Sequence, residues 1–358
     1  MAQFHPSDEL FVRGSSSSKR EKQFHMLTEK RGARRRLLRM TRPINVSSKK
    51  AQLSGAQLSV GSTVGDSTVV NISANATRTQ NGVTIAGGKG KGGATNQLDS
   101  PLGLFVDDDQ TVVIADRWNN RIMQWKNGDT TNGQVVAGGN AQGNGLNQLS
   151  SPIDVLIDKE IDCLIICDSG DQRIVRWSRR SGTTQGEVLI GTTCAGLVRD
   201  EQRYLYVCGA RKHDVRRYQL GEKNGILVAG GNGKGDELNQ LSYPTYLFVN
   251  GQQNVYVSDC GNHRVMKWTK GATEDGPQGI FVNTLGALYV ADSGNHRVMR
   301  WTQGDKKQGT VIVCGNGYGA GANQFSNPVG LCFDRYVNLY VADQYNDRVQ
   351  RFSIEKDC

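Results

Sequence analysis

From about residue 80 onward the chain alternates apolar and polar positions in short runs, and the same run keeps returning. LGALYVADSGNHRVMRWTQG (285–304) matches QQNVYVSDCGNHRVMKWTKG (252–271) nearly position by position. Weaker copies stand at QTVVIADRWNNRIMQWKNG (110–128), IDCLIICDSGDQRIVRWSRR (161–180), QRYLYVCGARKHDVRRYQLG (202–221) and VNLYVADQYNDRVQRFS (337–353). Each copy is an apolar alternating run, a polar turn that in five of them opens on Asp, and a second run ending in an aromatic, the period of two that predicts paired antiparallel strands. A further strand precedes each copy (PLGLFVD, PIDVLID, PTYLFVN, PQGIFVN, PVGLCFD), and in several a fourth follows with a Gly-rich linker, as in GQVVAGGNAQGNGLNQL. Four short strands repeated six times predict an all-β chain folded as a six-bladed β-propeller.

The ends of the repeat array sharpen this reading. NGVTIAGGKGKGGATNQL (81–98) is a fourth strand and linker with no blade before it, and the last copy has no fourth strand after Phe352. An N-terminal strand that completes the last blade closes the ring and covers the edges an open array would expose. The domain boundary therefore falls at residue 77, with 77–358 as propeller and 1–76 as a basic, Ser-rich, disordered tail.

The GNHRV strings at 261–265 and 294–298, the flanking YVxD and the one-per-blade linker resemble the NHL-repeat family over about 280 residues. Three departures stand out. The third copy carries Gly209 and Asp214 where the others have Asp and Arg, and the second has no Gly-rich linker. Between the fourth and fifth copies ATEDGPQGI replaces a fourth strand and linker, so that blade is expected to have three strands unless a piece of the sequence is missing.

Charge changes the picture mainly by its location. The chain of 358 residues has a formal charge of +9, and residues 1–50 hold 13 Lys/Arg against 4 Asp/Glu, which is the whole excess. The KREK and KRGARRRLLRM runs read as a nuclear localisation signal, a contact for RNA or an acidic surface, or a solvated arm. With no secretory signal or spanning segment in view, a cytoplasmic protein is expected, nuclear if the tail directs it, with no membrane contact. The sequons at Asn45, Asn71 and Asn75 would matter only on a secreted chain. The eight cysteines form no CxxC pair, Cys163 and Cys167 are too far apart along a strand to bond, and most read as small buried hydrophobes.

Five copies place an Asp and an Arg five apart: Asp116/Arg121, Asp168/Arg173, Asp259/Arg264, Asp292/Arg297 and Asp343/Arg348. Recurrence in five blades marks them as structural, as does the one-per-blade aromatic series Trp125, Trp177, Tyr218, Trp268, Trp301 and Phe352. His263 and His296 sit in matching turns, with His213 nearby and His5 and His25 in the tail. The resemblance includes a propeller lyase with metal-bound His, yet these His fall at the repeat motif and not at a unique centre. The Gly-rich linkers open no helix and read as turns, not phosphate loops. No catalytic residue, cofactor or metal is assigned.

The favoured function is a non-enzymatic scaffold, monomeric, presenting loops to a protein or peptide partner. The face with first-to-second and third-to-fourth loops (VDDDQT, IDKEID, VRDEQR, WSRRSGTTQG) varies most and is the expected binding face; the Asp…Arg face is taken up by architecture. The alternative is RNA binding, resembling some NHL propellers of tripartite-motif proteins, through Arg173, Arg176, Arg179, Arg180, Arg199, Arg203, Arg211, Arg216 and Arg217. The chain shows neither the RING nor the coiled coil of those proteins, so ubiquitin ligation is not implied. A propeller hydrolase or lyase ranks last, because it needs carboxylates or His converging on the central channel from first or second strands.

Overall fold

In the computed structural model, residues 78–353 are described apart from 130, 181, 271–286 and 302–308. Strand β1 (Val83–Gly87) comes first. Blade 1 is β2 (Pro101–Val106), β3 (Val112–Asp116), β4 (Arg121–Trp125) and β5 (Gln134–Gly138). Blade 2 is β6 (Pro152–Asp158), β7 (Cys163–Asp168), β8 (Arg173–Ser178) and β9 (Glu187–Gly191). Blade 3 is β10 (Gly196–Arg199), β11 (Leu205–Gly209), β12 (Asp214–Tyr218) and β13 (Ile226–Gly230). Blade 4 shows β14 (Pro244–Val249), β15 (Val255–Asp259) and β16 (Arg264–Trp268), and blade 5 shows β17 (Leu288–Asp292), β18 (Arg297–Trp301) and β19 (Thr310–Cys314). Blade 6 is β20 (Pro328–Phe333), β21 (Leu339–Asp343), β22 (Arg348–Phe352) and, on its outer edge, β1.

All pairings are antiparallel, and the order β1-β22-β21-β20 is the closure expected from the split first and last segments. Arg78 reinforces it, donating from Nη1 to the carbonyls of Val337 and Phe352 at 2.7 and 3.3 Å. The lack of a side chain at Gly82 lets the chain lie against the ring of Phe352, where a Cβ would come within 2.6 Å of Cζ. The questions of a fourth strand in blade 4 and of PQGIFVN as the inner strand of blade 5 fall in 271–286, outside the described residues.

The repeat motif is a polar clamp. Asp116 ends β3 inside the protein and accepts from the Asp99 amide (2.7 Å), Asn119 Nδ2 (2.9 Å) and Arg121 Nε (2.7 Å). The outer nitrogens of Arg121 donate to the carbonyls of Gly93, Ala94 and Gln97 in the linker that enters the blade. Arg173, Arg264 and Arg348 repeat this arrangement on the linkers of blades 2, 4 and 6. The turn between the two partners passes through a left-handed residue, Asn120, His263, His296 or Asp347, with φ of 49–55°. Asn, Asp and His enter that region more readily than most side chains, which accounts for the residue before Arg121, Arg264, Arg297 and Arg348; before Arg173 Gln172 takes the same conformation, with φ 52°. In blade 3 Asp214 faces Gly209 across the ladder and takes Arg216 as its partner at 2.8 Å.

Trp125, Trp177, Tyr218, Trp268 and Phe352 are buried, each at most 6% exposed, in the clusters that fill the spaces within and between blades. Cys163, Cys208 and Cys314 are buried, whereas Cys167 and Cys194 form a disulfide between β7 and the start of blade 3. The sequence reading considered only the Cys163/Cys167 spacing and did not find this bond, which joins residues far apart along the chain.

Replacing Arg121 by Ala leaves the buried Asp116 carboxylate and three linker carbonyls without their donor. Unfolding free energy in urea is expected to fall by about 3–5 kcal/mol, the range for breaking a buried ion pair from one side.

Candidate functional site in the central channel

The inner strands approach one another closely near their starts, at the third residue of β2 and β20 and the first of β10, and there the repeat prefers glycine: Gly103, Gly330 and Gly196. Two blades depart from it. Blade 2 has Asp154 and blade 4 has Tyr246. A Cβ on Gly103 would run into Asp154 Oδ1, and one on Gly196 into the Thr245 carbonyl, so the glycines make room for these exceptions.

Asp154 is buried. Its Oδ1 accepts from the Val155 amide at 3.0 Å and its Oδ2 from the Leu197 amide of the next blade at 2.8 Å. No cation pairs with it among the described residues. That separates it from Asp116, Asp168 and Asp343, whose carboxyls burial also raises but which each hold an Arg. Burial pushes Asp154 up to about 7, against the opposing effect of the two amides.

Tyr246 stands within electrostatic reach of both Asp154 and Arg117. Burial first, and then the Asp154 charge, raise its phenol, so it stays protonated at neutral pH. Arg117 follows Asp116 in the turn of blade 1, and Tyr345 occupies the turn of blade 6. Burial lowers the Arg117 guanidinium, and Tyr246 and Tyr345 both act on its charge. Four blades thus contribute side chains to one end of the channel, the end that carries the second-to-third-strand turns.

The sequence reading missed these residues, although a signal was present. Aligning the inner strands (PLG, PID, CAG, PTY, PVG) shows Asp154 and Tyr246 as the departures from glycine. Aligning the first residue of the turn gives Arg117, Ser169, Ala210, Cys260, Ser293 and Gln344, with one cation among them. The Asp…Arg end of the disc, assigned to architecture alone, therefore also carries the candidate site. The opposite end, expected to be free for a partner, is knitted between blades by Arg179 to Asp107 (3.0 Å), Arg199 to Asp158 (2.6 Å), Gln253 to Asp200 (2.9 Å) and Gln110 to Asp334 (2.6 Å).

The nine arginines considered for RNA are not brought together as a free cationic track. Arg173, Arg176, Arg179, Arg199, Arg203 and Arg216 are held by Asp168, Glu187, Asp107, Asp158, Glu160 and Asp214 respectively. Arg217 stacks on Tyr204 at 4.4 Å, and Arg180 and Arg211 are exposed. His213 and His296 accept backbone amides of the next blade through Nδ1 at 3.1 and 3.2 Å, and His263 is a turn residue. Among the described residues no three His, Cys, Asp or Glu side chains group as a metal site. His5, His25 and the basic runs lie outside the described residues, and no described helix is long and apolar enough to cross a membrane.

Six radial antiparallel sheets around a channel, with the first strand closing the last blade, define a six-bladed β-propeller. The NHL repeat model matches residues 275–300, and sequence similar to that stretch recurs in the other blades. No curated protein matches the chain in sequence. Among solved structures it is similar to a gluconolactonase from Xanthomonas campestris, at 14% identity and TM-score 0.53, over 80% of this chain and 99% of that one. It is also similar to the PQQ-bound aldose sugar dehydrogenase of Streptomyces coelicolor, at 13% and 0.52, over 78% and 100%. A Bacteroides thetaiotaomicron protein of unknown function aligns at 16% and 0.57, over 78% and 76%. At these identities the likeness is one of fold. It corrects the expectation of a non-enzymatic scaffold all the same, because propellers of this shape include enzymes and a blade motif gave no ground for setting catalysis aside.

A buried carboxyl raised from 3.8 to about 7 binds its proton more tightly in the folded chain. Its contribution is therefore fully present below pH 4 and is lost as pH rises through about 7. Urea unfolding of the protein and of Asp154→Gly should show the protein losing stability relative to the variant across that window; a constant difference would contradict the assignment.

Proposed function

We propose that the chain is an acid–base enzyme of the hydrolase or lyase class, working at the channel end where Asp154 and Tyr246 meet. The observation that carries this is Asp154 itself: a buried carboxyl at a position the repeat reserves for glycine, without a cationic partner among the described residues. The clamp aspartates of the repeat each hold an Arg; Asp154 does not. Its raised proton affinity puts both protonation states within reach near neutral pH, as proton transfer requires.

In the ionised form Asp154 takes a proton from a water or from the carbon or oxygen of a bound substrate. Its two backbone amides keep the carboxylate oriented and limit the cost of its charge. Tyr246, held protonated, donates a hydrogen bond to an oxygen on which negative charge builds up. Similarity in fold to a gluconolactonase makes lactones and esters the first substrates to try.

The test is proton release from a panel of lactones and esters by the full chain. Activity should rise with pH through about 7, and Asp154→Gly should lower kcat/KM by roughly 10²–10⁴-fold. Tyr246→Phe should lower kcat more than it changes KM. An Asp154→Gly enzyme as active as the parent would end this reading.

A further inference from the structure

Arg117 is one of a few arginines of the disc, with Arg217, Arg300 and Arg351, that hold no carboxylate among the described residues and whose Nε lacks an acceptor. Most partly buried arginines here hold a carboxylate or a set of carbonyls, as the clamp arginines do. Arg117 forms neither an ion pair nor a side-chain hydrogen bond among the described residues, and its Nε is shielded from water without an acceptor. Leaving a guanidinium nitrogen so placed is costly unless something arrives to accept from it. The group is not loose, because its plane lies 4.2 Å from the Trp118 ring. Trp118 and Tyr345 are both exposed, at 51% and 65%, so two aromatic rings flank the charge at the channel end. The groups that act on its charge are the phenols of Tyr246 and Tyr345, side chains whose hydroxyls can donate hydrogen bonds.

We propose that Arg117 is the binding residue for an oxyanion, a carboxylate in the first instance, carried by the molecule that enters the channel. A planar guanidinium whose terminal nitrogens meet no protein acceptor among the described residues suits two parallel hydrogen bonds to such a group. Trp118 and Tyr345 offer their faces to an adjoining flat portion of the ligand. This deepens the enzymatic reading by giving its substrate an anionic end, with Tyr246 within electrostatic reach of both Arg117 and Asp154. The turn position supports it, since Ser169, Ala210, Cys260, Ser293 and Gln344 are uncharged at neutral pH where blade 1 has Arg.

Benzoate, which joins a carboxylate to a flat ring, is the probe, and its neutral amide, benzamide, the control. Calorimetric titration of the full chain at neutral pH and low salt should show benzoate binding and little or none by benzamide. Arg117→Ala should weaken benzoate at least about tenfold, the loss expected for a charge-assisted hydrogen bond. Arg117→Lys, which keeps the charge without the fork, should recover part of it. Since Arg117 donates to no protein group, both variants should keep the circular dichroism of the parent. Equal binding of benzoate and benzamide, no binding of benzoate, or undiminished binding by Arg117→Ala would overturn the proposal. Asp154→Gly separates the two readings. Arg117-dependent benzoate binding that survives in this variant supports the anion site even if no reaction is ever found, whereas catalysis that survives Arg117→Ala alongside unchanged benzoate binding removes the anion site and leaves Asp154 in place.

Discussion

The ring depends on a carboxylate that has been taken out of water and given back its hydrogen bonds. In blades 1, 2, 4 and 6 the Asp that ends the second strand receives an amide from the incoming linker and a guanidinium from the third strand. The same guanidinium gathers the carbonyls of the linker. A linker is mostly glycines and polar residues, anchored at its end by one buried apolar side chain, Leu98, Leu149, Leu241 or Phe325. The Arg holds it against the blade with directional bonds, and so fixes the step from one blade to the next. Blade 3 shows the tolerance of the device: with Gly209 in place of the Asp, the carboxylate moves to Asp214 and the cation to Arg216.

Against that background a carboxylate without a cation has a different meaning. Asp154 is as deep as the clamp aspartates, yet it is held by two amides alone. Amides stabilise its charge without neutralising it, and burial prevails, which is why its proton affinity rises to about 7. Arg117 is the complementary case, a guanidinium without a carboxylate. Neither Asp154 nor Arg117 has an ion-pair partner among the described residues, and both act electrostatically on Tyr246.

The fold was legible because it is periodic. The alternation in LYVADSGNHRVMRW sets the strands, the left-handed residue before each Arg sets the turn, and the unmatched strand at 81–98 announces how the ring closes. The site was less legible for the same reason. Attention went to residues that recur, such as His263, His296 and the Asp…Arg pairs, and to arginines that cluster along the chain. Recurrence marks what every blade needs, whereas chemistry sits where one blade departs from the rest. Arg173 and Arg199 looked available for a ligand in the sequence, but Asp168 and Asp158 reach them in space.

The sequence by itself determined the strands, their number per blade and the closure by β1, since these follow from local alternation and turn geometry repeated along the chain. Tertiary structure decided which charges are compensated, that Cys167 meets Cys194, and that Arg117, Asp154, Tyr246 and Tyr345 share one end of the channel. The physical reason is that closing a ring juxtaposes residues from different blades, and burial and the distance between charges, on which proton affinity depends, exist only once it has closed.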